Sequence, residues 1–416
     1  MNRIGLFLLA AAAVHAASVS NVTFNKQVLP VLQKNCQGCH RPGEAAPMSF
    51  LTYKETRPYA KAIKAAVAAK KMPPWFADSA HGKWANDRSL TAAEINTLVA
   101  WADSGAAEGN PKDAPKPLAF VDGWNIGKPD AEFEMQSDFT VPASGTIDYT
   151  YFVVPTNWNE DKWIQMAEVR PGNRSLVHHV IAYIRAPGSK WLADAEPGKA
   201  FVPRKGERRG EGSGEWLTAF APGSMPERLE AGQGRLVKAG SDIVFQMHYT
   251  ANGKEGKDRS KVGVVFAKQT PTMRVMTVAS QNGKFQIPAG DANYQVDSTM
   301  TVTKDATLIS FAPHMHLRGK DFEYRAVYPT GETQILLRVP AYSFSWQLTY
   351  LPEKPIVLPK GTKIECTAHF DNSANNKYNP DPAKVVRWGD QSWDEMMIGF
   401  FSVTVPVNPA QPRTDD

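Results

Sequence analysis

The chain has 416 residues, 42% hydrophobic and 21% charged, a globular balance with room for two or three domains. Its formal net charge of +5 is small for this length, and no basic face interleaved with aromatic residues appears, so nucleic acid is not an expected partner. Only Cys36, Cys39 and Cys366 are present, which excludes a disulfide framework.

The N-terminal stretch "MNRIGLFLLAAAAVHAASVS" has an early cation at Arg3, an apolar run from Ile4 to Val14 and small residues suited to cleavage after Ala16. This pattern is expected to be a secretory signal peptide over residues 1–16. No later segment approaches the roughly 20 apolar residues that a membrane-spanning helix needs. The expected product is periplasmic or secreted, with no transmembrane anchor after signal cleavage.

A small all-α domain is expected over residues 20–109. "TFNKQVLPVLQKN" is an amphipathic run, and "LTAAEINTLVAWADSGA" has helical spacing, a Thr91–Glu94 capping pattern and an end near Gly105. Between them lies "CQGCH". There Cys36 and Cys39 can form thioethers with haem vinyl groups and His40 can bind the iron. The competing readings are a redox disulfide or half a zinc site, and no second cysteine pair exists to complete the latter. The sixth iron ligand must come from further along the chain. Met72 in "KKMPPWFAD" fits, Met48 is too close to His40 to reach over the ring, and His81 is the main alternative. The two helical runs resemble the first and last helices of class I cytochromes c.

"NPKDAPKPLAF" reads as a linker over 110–120. Beyond it, helical periodicity gives way to short β-rich runs such as "TYFVVP", "HHVIAYI", "DIVFQMHYT", "VGVVFA", "ATLISFAPHMH", "TQILLRV" and "TKIECTAHF", separated by Gly, Pro, Asn and Asp. These predict antiparallel β-sandwiches over 121–268 and 269–410. The basic run "PRKGERRGEG" is expected to be a solvated loop, and Cys366 a buried small side chain. No glycine-rich phosphate loop appears, which argues against a nucleotide-dependent enzyme.

Three of these strands hold five of the nine histidines. Alternation places Gln246 and His248 on one face and Phe245, Met247 and Tyr249 on the other. His314 and His316, two residues apart, are expected to project from one strand face, a simple way to chelate an ion. A single histidine is more often a hydrogen-bonded core residue, but the His178–His179 pair together with the H-x-H pair predicts a metal role. Imidazoles without carboxylate or thiolate partners suit copper, and the thioether in "WDEMMIGFF" favours Cu(I).

The ordered set "VHHV", "FQMHY", "HMHLRG" and "DEMM" resembles the copper type II, ascorbate-dependent monooxygenases, a family that includes peptidylglycine α-hydroxylating and dopamine β-monooxygenases. The resemblance implies two jelly-roll-like domains, each with one copper ion. His178, His179 and His248 would hold the electron-transfer copper. His314, His316 and Met396 would hold the oxygen-activating copper and form the catalytic set. Both histidines of "VHHV" can serve one ion if the strand bulges there, and Gln246 would orient ligands or substrate. The chain departs from the family at Met397, where a cysteine is common. It also departs at Ala312, Ile398 and Phe400, where peptide-binding members carry Arg, Asn and Tyr, so a more apolar or aromatic substrate is implied. His369 matches no copper motif and is expected to be structural.

The expected function is an exported copper-dependent monooxygenase that hydroxylates a small-molecule C–H bond with O2. One covalent haem c and two copper ions are the expected cofactors, with electrons supplied through the haem by a periplasmic donor. The alternative is a periplasmic haem/copper electron-transfer or copper-binding protein without oxygenase activity. A third reading is a haem protein whose β-domains recognise a partner.

Overall fold

The computed structural model describes residues 22–44, 46–121, 123–203 and 214–407. The expected signal peptide and almost all of the basic run at 203–212 lie outside the described residues. Among the described residues, no helix is long and apolar enough to cross a membrane. The chain is mostly β with a few short helices, and its sheets are not closed. It divides into two compact units, one of residues 1–42, 48–71 and 90–117, the other of 43–47, 72–89 and 118–416.

The first unit is helical. Phe24–Val28 forms a π-helical turn that runs into the α-helix Leu29–Asn35. The change falls where Pro30, near the start of the α-helix, has no N–H to donate to the preceding turn. Helix Ala92–Asp103 starts from the expected capping box, with the Thr91 hydroxyl accepting the Glu94 N–H at 3.2 Å and the Glu94 carboxylate accepting the Thr91 N–H at 2.8 Å. It stops before Gly105, whose φ of 93° is the left-handed conformation that ends helices cheaply. Phe24, Val28 and Leu32 pack with Leu98 and Trp101 in one core, joined by Ile63 and Val67 of helix Ala60–Ala68.

The second unit is built on a nine-stranded sheet. Its main path runs Ala131–Glu134, Lys261–Phe266, Lys162–Arg170, Gln233–Val237, Met273–Gln281, Ile398–Pro406, Ala306–His314 and Ile356–Leu358. A four-stranded sheet, in the order Thr150–Pro155, Asp242–Tyr249, Val177–Arg185 and Glu215–Phe220, shares a core with one half through Phe152, Val180 and Phe245 against Phe133, Val169 and Val262. A second, in the order Tyr294–Thr301, Lys363–Phe370, Gly319–Val327 and Thr333–Val339, shares a core with the other half through Phe322, Tyr324 and Cys366 against Leu308, Phe311 and Phe401. Cys366 is buried, as expected, and burial pushes its thiol up to about 12.

Two features differ from the expected layout. The nine-stranded sheet crosses the expected boundary at 268/269, because Gln233 and Gly234 pair in parallel with Met273 and Arg274. A Cβ at Gly234 would lie 2.7 Å from Pro271, so this approach needs glycine. The seam is held by Arg235, which is 0% exposed and donates to Glu227 twice at 2.7 Å and to Thr277 at 3.0 Å. The second difference is the segment Met72–Ser89, expected in the helical domain but belonging to the second unit. Its aromatic residues explain this, since Trp84 is buried against Phe311 and Tyr350 and Trp75 meets Tyr350 edge-on at 5.0 Å.

Candidate metal centre

Strand Val177–Arg185 carries the first pair of histidines. Val177 pairs with Tyr249 and His179 with His248, so the register shifts between them and His178 is the extra residue of a bulge. A regular strand would send the two rings to opposite faces. The bulge instead turns His178 beside His179, and the Nδ1 atoms of His178 and His248 lie 3.2 and 3.3 Å from Nδ1 of His179. Three ligands about 2.0 Å from one ion in a plane would stand roughly 3.5 Å apart, so this spacing is close to that of a loaded three-nitrogen site. Among the described residues, this is the one group of three His, Cys, Asp or Glu whose ligand atoms all lie within 4.8 Å of one another.

Two of the remaining nitrogens have contacts of their own. Nε2 of His179 lies 3.3 Å from the Tyr149 hydroxyl, and Nε2 of His248 is 3.5 Å from the Ser392 hydroxyl. Such outer contacts fix ring orientation. As the alternation predicts, Phe245, Met247 and Tyr249 enter the core while His248 faces away from it. Burial draws the His178 imidazole down to about 4. Burial, helped by His178 and His314, draws His248 down to about 3, and His179 lies well below its ordinary value for the same reason. All three are therefore neutral at pH 7, the form in which imidazole binds a metal. An open cleft of about 510 Å³, lined by Ile147, Thr250, Ser392 and Trp393, leads to His248.

The second pair is arranged differently from the sequence expectation. Strand Ala306–His314 ends at His314, so His316 lies beyond it rather than on the same strand face. The rings are nevertheless close, with centroids 5.2 Å apart. Met315, between them, is fully buried in the core. His316 is held by the segment that carries Met396. The Glu395 carboxylate accepts the N–H of His316 at 2.8 Å, of Arg318 at 2.6 Å and of Met396 at 3.3 Å. One buried carboxylate thus ties the H-x-H turn to the methionine. Burial pushes Glu395 up to about 8 against the pull of these donors.

The tautomers follow from the partners. His316 Nδ1 lies 3.3 Å from the Asp394 carbonyl, which can only accept, so Nδ1 carries the proton. Its Nε2 is then a bare lone pair, buried and without a hydrogen-bond partner. His314 Nδ1 faces Gln347 Oε1 at 2.7 Å, while the Gln347 amide nitrogen points to the Phe344 carbonyl, which leaves His314 the same tautomer. An orphaned buried nitrogen beside a second imidazole fits a soft or borderline ion.

In the helical unit, Cys36 and Cys39 are not joined in a disulfide, and the His40 N–H donates to the Cys36 carbonyl at 2.9 Å. The His40 ring stacks on Phe50 at 4.2 Å, and its Nδ1 is buried without a partner. Burial, with Cys39 and Glu94 nearby, pushes the Cys36 thiol up to about 12, which disfavours thiolate or redox use. Met72 and His81 both fall in the segment that belongs to the second unit.

Gln246, expected to orient ligands or substrate, is buried between Tyr151 and Tyr183, bonded to both hydroxyls. His369 is paired with Asp321 at 2.7 Å, a structural contact. Glu395, Gln347 and Phe344 are features of the site that sequence reasoning missed. Only "DEMM" carried a hint of the first, through its position beside Met396.

No family model matches the sequence, and no curated protein matches it either. Among solved structures, PNGF-II is similar at 9% identity over 68% of this chain and 66% of that chain, with a TM-score of 0.29. The chain thus spans slightly less than two thirds of that protein's length. The infectious bursal disease virus Gx strain structure is similar at 10% identity over 71% of this chain and 76% of that chain, with a TM-score of 0.18. Likeness at these scores carries no argument about function.

Proposed function

We propose that the chain is an exported copper-dependent monooxygenase that hydroxylates a small-molecule C–H bond with O2. A class I-like cytochrome c domain would precede two jelly-roll-like copper domains. The observation that carries the reading is the convergence of three Nδ1 atoms at the bulge of "VHHV", with no carboxylate among them. His178, His179 and His248 would hold one copper ion, and His314, His316 and Met396 the other. Copper at these positions would supply one-electron redox chemistry and oxygen activation.

The chain's own residues prepare for that role. Tyr149 and Ser392 hold the outer nitrogens of His179 and His248, while Gln347 and Asp394 hold protons on Nδ1 of the second set, which would leave Nε2 as the ligand atom. Glu395 holds the backbone that presents Met396. Beside His314, Phe400 lies 6.4 Å away and Trp216 packs on Phe400 at 5.3 Å, an apolar wall that suits an aromatic or aliphatic substrate. Cys36 and Cys39 would bond a haem c and His40 its iron, with Met72 as the sixth ligand and His81 as its alternative. That haem would pass single electrons from a periplasmic donor.

The test is the copper-to-haem ratio of protein matured in a copper-supplied periplasm, followed by oxygen uptake with candidate substrates. About two retained coppers per haem and a hydroxylated product are expected. Haem without retained copper refutes the reading. Copper retention with no oxygenated product leaves the electron-transfer or copper-binding alternative. Met396→His is expected to keep metal and lose most turnover, because the thioether favours Cu(I).

A further inference from the structure

The segment between strands Thr333–Val339 and Ile356–Leu358 contributes no metal ligand, yet it touches both histidine sets. The Phe344 ring stacks on His178 at 5.0 Å and 20°, and meets His316 edge-on at 5.9 Å and 79°. Gln347 accepts from Nδ1 of His314 at 2.7 Å. Tyr342 brackets the residue between the second pair, its hydroxyl accepting the Met315 N–H at 3.1 Å and donating to the Met315 carbonyl at 2.8 Å. Both ends are anchored, with Val339 at 1% and Leu348 at 3% exposure in the same core. The Gln347 amide nitrogen donates back to the Phe344 carbonyl at 3.5 Å, so the two contact residues are also joined to each other.

We propose that Tyr342–Gln347 is a positioning strap common to both sets, and that Phe344 couples their metal affinities. The inference rests on the two copper sets proposed above. Metal at the first set fixes the His178 ring and hence the face of Phe344 that leans on it. That ring also borders His316, and the Phe344 backbone braces Gln347, which sets the His314 tautomer. Loading one set therefore prepares the other. By linkage the effect is reciprocal, and couplings of this kind run from about 5-fold to about 150-fold in affinity.

The test is anaerobic Cu(I) competition against a chromophoric chelator, a readout independent of turnover. The full-length chain is compared with His179→Ala, which empties the first set, and His316→Ala, which empties the second. Each is also made in a Phe344→Leu background to close a double-mutant cycle. The second set is expected to bind Cu(I) at least about 5-fold more tightly when the first is loaded. Phe344→Leu should abolish that difference, and Phe344→Tyr should retain it. Gln347→Ala, which removes the contact to His314 and the bond to the Phe344 carbonyl but leaves the Phe344 ring, should reduce it and serves if Phe344→Leu folds poorly. Equal second-set affinity whether or not the first is filled, or coupling that survives Phe344→Leu, overturns the proposal. Coupling without any hydroxylated product would sustain the strap and sink the oxygenase. Absence of Cu(I) binding at both sets would sink both.

Discussion

Replacing Glu395 tests how the methionine and the second histidine pair are kept together. The carboxylate is 0% exposed, with Oε1 accepting from Arg318 at 2.6 Å and Oε2 from His316 at 2.8 Å and Met396 at 3.3 Å. Glu395→Ala strands at least the two short-bonded donors, and at about 1–3 kcal/mol for each buried unpaired donor the loss is about 2–6 kcal/mol. A domain is typically stable by only about 5–15 kcal/mol, so this is a large fraction. In Glu395→Gln the amide can turn its oxygen to only one side, so one donor is stranded and the cost falls to about 1–3 kcal/mol. Urea unfolding followed by tryptophan fluorescence reads the stability. Cu(I) competition reads the second set, whose affinity should fall in the same order. The exposed Glu353→Ala is the control and should stay within about 0.5 kcal/mol of the parent. An Ala variant no less stable than the control, or unchanged second-set affinity in both variants, would refute the argument.

Arg235→Met is expected to cost about 1.5–3 kcal/mol, because its bonds to Glu227 and Thr277 are lost while the partly exposed Glu227 carboxylate can still be solvated, and calorimetry of the intact chain should show it. Acid should destabilise the metal-free protein. His178 and His248 are held at about 4 and about 3 in the fold, whereas the unfolded chain takes up protons near 6.5. Stability is therefore full above pH 6.5 and falls toward pH 4 by about 1.4 kcal/mol per unit for each histidine, a slope that His248→Gln should reduce in urea titrations at several pH values. Thr91→Ala removes the hydroxyl half of the capping box and should cost the helical unit about 1 kcal/mol, read from amide exchange in helix Ala92–Asp103.

Features set by neighbours in the chain were legible beforehand. The capping box at Thr91 and the alternation from Asp242 to Tyr249 follow from spacing of a few residues, whereas the bulge at His178 is expected only if both histidines serve one ion, as the resemblance implies. What escaped were pairings across long separations. Nothing local marks Gln233 as a parallel neighbour of Met273, or Trp84 as a core residue beside Phe311. "DEMM" shows a carboxylate next to a ligand, but an acidic residue is ordinarily solvated, and only the fold shows Glu395 enclosed with three N–H groups around it. Likewise "SFSWQ" has the composition of a loop, and its two contacts to different histidine sets depend on where the strands on either side deliver it.

The parallel seam at Gln233 and Gly234 also bears on how the β unit can be taken apart. Residues 118–268 produced alone would leave the pairing edge of Gln233 and Gly234 open to solvent, beside an arginine whose Thr277 and Ser402 partners are gone. Such an edge recruits other strands, so the half-length fragment should aggregate rather than fold as a module. Under a pulling force the two halves should likewise yield in one rupture rather than two, since extracting either one tears the ladder that both share.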